Sequence, residues 1–215
     1  MNVAAGLERV RERIVACDRD PSTVTIVAMT KSFGADAVRA ALDAGIVDIG
    51  ENYADGLLEK AAEVPGVRWH FAGAVQRNKV GKLAPHVAVW HGVDRAAAAT
   101  AIAAKSPGAT VLIQVNLAGT PGRNGCSWVE APEVVGAARG TGLDVSGLMG
   151  VASPDESAAA REFARLAELA SALGIRELSM GMTADLEPAV RAGATIVRIG
   201  QALFGARPQP DQVRR

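Results

Sequence analysis

The stretch "TVTIVAMTKSFGADAVRAALDAG", residues 23–45, decides the fold. Its opening, "TVTIVAM", is rich in β-branched residues and too short for a helix, so it reads as a buried strand. "GADAVRAALDAG" follows with strong helix formers and a glycine stop. The same alternation recurs down the chain. Apolar strand candidates stand at about 46–50, 67–73, 87–93, 110–116, 145–151, 176–181 and 195–199, with Ala-rich helical stretches between most of them. Strands alternating with helices pair in parallel, and right-handed crossovers put the helices outside. An open doubly wound sheet usually carries a Gly-rich phosphate loop after its first strand, whereas "TKSFGAD" is neither G-x-G-x-x-G nor a Walker loop. Eight units therefore predict a closed (β/α)8 TIM barrel of the α/β class, one domain over residues 1–207. Val3, Leu7, Val10 and Ile14, spaced by four, three and four, predict an extra amphipathic helix before the first strand. Residues 208–215, "PQPDQVRR", are expected to form a flexible tail.

Composition narrows the partners. Lys+Arg and Asp+Glu both total 23, so no overall field favours nucleic acid or an anionic membrane. The charged N-terminal stretch lacks the apolar core of a signal peptide, and no window reaches membrane-spanning length. Cys17 and Cys126 have neither the pairing of a disulfide framework nor metal-ligand spacing. A cytoplasmic protein with reduced thiols, no metal and no membrane contact is expected.

In such barrels the active face is the ring of loops at the strand C-termini. There the chain places Lys31 after strand one, Glu51, Asn52 and Tyr53 after strand two, and His70 at strand three. Asp94, Asn116 and Met149 follow at strands four, five and six, and Ser179 and Thr183 at strand seven. Singly these have ordinary explanations: a solvated lysine, helix caps, a buried histidine, gap-filling methionine. Arg198 is different. It lies between Val197 and Ile199 inside the last strand, where a charge needs a partner. The last strand of a closed barrel lies beside the first, so Lys31 and Arg198 can share one mouth. Thr183, Gly200 and Gln201 open the segments after strands seven and eight, the usual phosphate site of this fold. An amine, a guanidinium and an anion cradle facing one pocket suit a phosphorylated aldehyde held as an imine by Lys31.

Blocks of this sequence resemble a known family. "AMTK", "GENY", "WHFAGAVQRNK" and "LSMGMTADLEPAVRAGATIVRIGQALFGAR", in that order, look like the pyridoxal phosphate homeostasis protein family, whose barrel is similar to the N-terminal domain of bacterial alanine racemase. The resemblance covers roughly residues 24–207. It implies that Lys31 forms the internal aldimine with pyridoxal 5'-phosphate, that Arg198 faces the pyridine nitrogen, and that Thr183, Gly200 and Gln201 hold the phosphate. Asn52, His70, Met149 and Ser179 complete the expected cofactor-binding set. Thr30 and Thr183 stand where the family usually has serine, keeping a hydroxyl. Arg123 in "TPGRNG" replaces a common lysine, and "GENYADG" lacks residues often found after that motif. Ala72 and Val75 are smaller than usual.

The resemblance and the pocket chemistry together imply a cofactor carrier. A guanidinium opposite the ring nitrogen leaves that nitrogen unprotonated and weakens the electron sink. A racemase also needs a second base. The one tyrosine here is Tyr53, and the additional β domain of alanine racemase is not in this sequence. The expectation is a monomeric protein without a catalytic residue that keeps pyridoxal phosphate for vitamin B6 homeostasis and passes it to apoenzymes. The competing readings are an amino-acid racemase with Tyr53 or His70 as second base, and a cofactor-free Schiff-base aldolase.

Overall fold

The computed structural model describes residues 2–206; the tail expected at 208–215 lies outside the described residues. Helix α1 (Val3–Val15) begins at Asn2, whose side chain accepts the Ala5 N–H, and buries Val3, Leu7, Val10 and Ile14 on one stripe. Eight strands follow: β1 (Thr25–Met29), β2 (Asp48–Glu51), β3 (Arg68–Phe71), β4 (Val87–Val93), β5 (Thr110–Val115), β6 (Asp144–Gly150), β7 (Glu177–Ser179) and β8 (Ile196–Ile199). Between them run α2 (Ala35–Asp43), α3 (Ala54–Glu63), α4 (Arg77–Leu83), α5 (Ala96–Ala103), α6 (Ala131–Gly140), α7 (Glu156–Ala172) and α8 (Leu186–Arg191), and α9 (Gln201–Phe204) closes the series.

The strands form a closed barrel in chain order, every pair parallel. Closure comes from β1 and β8, paired from Thr25 with Ile196 to Ala28 with Ile199, which sets Val27 opposite Arg198. The (β/α)8 barrel with an added N-terminal helix is therefore the fold. β1 is shorter than "TVTIVAM" because Pro21–Thr23 form a 3-10 turn, with the Asp20 side chain accepting the Ser22 N–H. β7 keeps only three residues, and its one register pair with β8 joins Ser179 to Ile196.

Side chains alternate across a strand, so each strand serves two compartments. Ile49, Trp69, Phe71, Trp90, Ile113 and Val197 pack outward beneath the helices in one large apolar cluster. Val27, Met29, Val89, Leu112, Met149 and Ile196 form a separate plug inside the barrel. Two glycines make room for it: a Cβ on Gly50 would stand 2.2 Å from Met29 Sδ, and one on Gly147 would stand 2.3 Å from Leu112 Cδ2. Cys17 and Cys126 are buried free thiols. Among the described residues, no helix is long and apolar enough to cross a membrane.

Candidate functional site

A cavity of about 620 Å³ opens at the strand C-termini. It begins where β1 ends. Lys31 and Ser32 fill the middle of a turn closed by the Phe33 N–H donating to Thr30 C=O at 2.9 Å, and Ser32 adopts φ +71°. A left-handed backbone on a residue other than glycine costs on the order of 1 kcal/mol or more and persists only where its surroundings impose it. The turn sends the chain into α2 and leaves Lys31 on the cavity wall beside Met29 and Phe33.

Beneath this turn lies a buried ion pair. Lys60 Nζ, from the inner face of α3, donates to Glu51 Oε1 at 2.5 Å and to Thr30 C=O at 2.9 Å. Glu51 Oε2 in turn accepts the N–H groups of Asn52 and Tyr53 at 2.7 and 3.0 Å. Glu51 and Lys60 are 1% and 6% exposed, so one buried pair ties together the ends of β1 and β2, next to Lys31 and Asn52 in the chain. The Oδ1 atom of Asn52, a residue of the cavity wall, is buried without a hydrogen-bond partner among the described residues.

Thr183, Gly200 and Gln201 also line the cavity, Gly200 close beside Met29 at the end of β1. Thr183 Oγ1 accepts the Ala202 N–H at 3.2 Å, which leaves the hydroxyl proton as a donor. The loop carrying it is held from both sides. Met182 N–H donates to Asp185 Oδ1 at 2.6 Å, and Arg13 of α1 donates to Thr183 C=O at 2.9 Å while gripping Glu187 at 2.6 and 2.7 Å. Gly181 allows the loop its φ of +89° and its packing, since a Cβ there would meet Ala189 Cβ at 2.6 Å. Helix α1 also lies against α9, with Gly6 so close that a Cβ would stand 2.6 Å from Ala202 C=O. The additional N-terminal helix therefore buttresses the side of the cavity formed by Thr183 and Gln201.

Arg198 forms the base. It is 4% exposed, with Nη1 donating to Ser179 C=O at 2.7 Å and to Ser179 Oγ at 2.6 Å, and Nη2 donating to Gly150 C=O at 2.9 Å. Burial pulls its pKa down to about 10, opposed in part by the charge of Asp185, so the guanidinium stays cationic at neutral pH. Ala72, Met149 and Val151 give the cavity apolar flanks.

Of the residues expected from sequence, Lys31, Asn52, Met149, Thr183, Arg198, Gly200 and Gln201 line this one cavity. His70 and Ser179 do not. They lie in the layer beneath, Ser179 as the acceptor for Arg198 and His70 bonded to Asp48 and His91 at 2.8 Å each. Tyr53 is 64% exposed and outside the cavity wall. Gln114, Met182 and Asn124 also line the cavity and were absent from the sequence expectation, as were the supports Lys60, Asp48 and His91. Two of the supports leave a signal in the sequence: Lys60 falls on the buried face of an amphipathic helix beside Leu57, and His91 interrupts the apolar run of β4.

The alanine racemase N-terminal domain family matches residues 6–208. The pyridoxal phosphate homeostasis protein of Pseudomonas aeruginosa is 42% identical, covering 96% of this chain and 94% of that protein. A protein from Bifidobacterium adolescentis superposes with a TM-score of 0.86 at 32% identity, covering 94% of each chain. PipY of Synechococcus elongatus, solved with pyridoxal phosphate bound, gives 0.76 at 28% identity and covers 91% of this chain and 100% of its own.

Proposed function

The chain belongs to the pyridoxal phosphate homeostasis protein family, whose barrel is the alanine racemase N-terminal domain, and from that premise we propose that it binds pyridoxal 5'-phosphate reversibly through Lys31, keeping the cofactor in reserve for apoenzymes without substantial catalysis of its own. One observation carries the reading: a buried guanidinium forms the base of the same cavity that Lys31, Thr183 and Gly200 line. When bound, pyridoxal phosphate supplies an aldehyde that condenses with amines and a ring nitrogen whose protonation makes it an electron sink. Lys31 is the amine within the cavity. Thr183 and the main chain at Gly200 and Gln201 offer donors for a phosphate, and the cavity's apolar flanks suit an aromatic ring.

Arg198 supports the reading of a carrier with little carbanion chemistry. It can only donate, so an acceptor nitrogen facing it stays unprotonated. Neither candidate for a second base reaches the cavity: Tyr53 is exposed outside it, and both ring nitrogens of His70 are engaged below it. Binding, orientation and exchange of the Lys31 linkage for an incoming amine are what these residues support. We read the protein as a cytoplasmic monomer, a domain spanning 1–207.

Mixing the purified protein with pyridoxal phosphate should give a visible absorption band that borohydride bleaches, with the reduced adduct mapped by mass to the Lys31 peptide. Lys31→Ala should lose the band and still unfold cooperatively near the wild-type temperature. In deuterium oxide neither L- nor D-alanine should gain deuterium at Cα. An adduct on another lysine would remove Lys31 from its role, and steady deuterium exchange would make the protein a racemase-like enzyme.

A further inference from the structure

Inside the barrel, beneath the cavity, polar side chains from five strands touch in series. Arg198 Nη1 meets Ser179 Oγ at 2.6 Å, Ser179 Oγ meets His91 Nδ1 at 2.9 Å, His91 Nε2 meets His70 Nδ1 at 2.8 Å, and His70 Nε2 meets Asp48 Oδ1 at 2.8 Å. His70, His91 and Ser179 are at most 1% exposed, whereas the Asp48 side chain is 19% exposed beside Arg68, whose Nη1 donates to the same oxygen at 3.0 Å. We propose that Asp48, His70, His91 and Ser179 are positioning residues: a one-way hydrogen-bond relay that spans the barrel interior and holds Arg198 in a single pose as a permanent donor to the ring nitrogen of a cofactor in the cavity. The last clause rests on the function proposed above, while the relay itself does not.

The direction follows from counting protons. A guanidinium only donates, so Ser179 Oγ accepts from Arg198 and its hydroxyl proton goes to His91 Nδ1. His91 then carries its one proton on Nε2 and donates to His70 Nδ1. His70 likewise carries Nε2–H and donates to the Asp48 carboxylate. Every donor has an acceptor, and every dipole points from the cation toward the anion. The reverse arrangement, with a proton added to His70 and His91 donating to Ser179, would leave the Ser179 hydroxyl proton without an acceptor and put a further charge in the interior, both costly. The charges at the two ends agree with this order. Burial holds His91 well below the ordinary histidine value, helped by the positive charges of His70, when protonated, and of Arg198 and Arg68. Burial acts to raise the Asp48 carboxyl, but the hydrogen bonds from His70 and Arg68 and the charge of Arg68 outweigh it and keep the group ionised.

The three Nη bonds to Ser179 and Gly150 use three of the five guanidinium protons, which stops rotation about the terminal bonds and leaves the others for the cavity. Loss of the relay removes one of these three bonds and loosens the guanidinium without removing its charge.

Nitrogen-15 NMR of the histidine rings in the ligand-free protein tests the relay by itself. The chain has 3 histidines, and exposed His86 lies outside the relay. At about pH 7.5 His70 and His91 should both be neutral Nε2–H tautomers. The Arg198 Nη protons should be resolved and slowly exchanging. A cationic ring, or an Nδ1–H tautomer at either relay histidine, would overturn the relay. Ser179→Ala and Asp48→Ala should collapse the Arg198 Nη signals, and Ser179→Thr should restore them. With pyridoxal phosphate added, Ser179→Ala should weaken binding about tenfold and shift the absorption band, and Asp48→Ala should weaken it about threefold. Should Asp48→Ala free Arg198 yet leave affinity and band unchanged, the positioning role is wrong. Should the wild type bind no pyridoxal phosphate, the function proposed above fails, and the tautomers and Nη signals still decide the relay.

Discussion

The two faces of the same eight strands are filled by opposite chemistry. Outward, Ile49, Trp69, Trp90, Ile113 and Val197 meet Leu57, Ile102, Phe163 and Leu166 of the helices in a layer almost free of polar groups. Inward, a small apolar plug shares the barrel with His70, His91, Ser179 and Arg198, all buried and all hydrogen bonded. The outer layer buries most of the apolar surface and so holds the fold; the inner one accepts desolvation costs to hold a cation at the base of a cavity. The bulk of the core and the candidate site thus fall on different faces of one sheet.

Cutting into the outer layer should have the largest effect on stability. Phe163 is fully buried, and Phe163→Ala should cost about 4 kcal/mol in urea unfolding. Its affinity for pyridoxal phosphate, measured where the variant is still folded, should be unchanged; a parallel loss would mean that the two faces are not separable. Next comes Glu51→Ala, which strands Lys60 as a buried charge and releases the amides of Asn52 and Tyr53. A loss of about 3 kcal/mol is expected. Unlike the Phe163 variant, this one should also slow reaction of Lys31 with the aldehyde, measured by stopped-flow absorbance.

The inner face should also reveal itself through pH. His91 is neutral when folded and its pKa lies well below 6.5, whereas in the unfolded chain it binds a proton below that value. The unfolded state therefore takes up the extra proton on acidification. Stability should fall as pH drops below about 6.5, by up to about 1.4 kcal/mol per unit. Urea melts at pH 7.5 and 5.5 read the slope, and His91→Gln should flatten it; an unchanged slope would place its origin elsewhere. The smallest effect belongs to the rim. Arg13 and Glu187 are 31% exposed at the side chain, so Arg13→Ala should cost about 0.5–1 kcal/mol. Binding of inorganic phosphate, followed by calorimetry, should weaken about twofold as the Thr183 loop loosens. No change in phosphate binding would separate α1 from the cradle.

How far each face could be read in advance follows from the same contrast. The outer layer leaves a trace, because the strands are short apolar runs and the helices between them are rich in alanine and other helix formers. The eight strands, α1 and the barrel were legible for that reason, with boundary differences of up to two residues at most ends. The cavity wall was legible where a residue type was out of place in an apolar run, as Arg198 is, or stood at a strand end, as Lys31 and Thr183 do. His70 and Ser179 were read as wall residues because a strand C-terminus alone does not tell depth. In the folded chain β7 ends at Ser179 and the layer of Arg198 covers it. Gln114 and Asn124 left no trace, since amides in a strand and a loop are common in any sequence.

The sequence by itself determined the barrel, its eight-unit order and the presence of an amine, a guanidinium and hydroxyl groups at one rim, because local periodicity and residue type are local properties. Only the tertiary structure decided which of those groups share a cavity, which lie one layer below, and that residues 48, 70, 91, 179 and 198 touch in series. Those contacts depend on strand register and on the closing of β1 against β8, where a shift of one residue would turn each side chain to the opposite face.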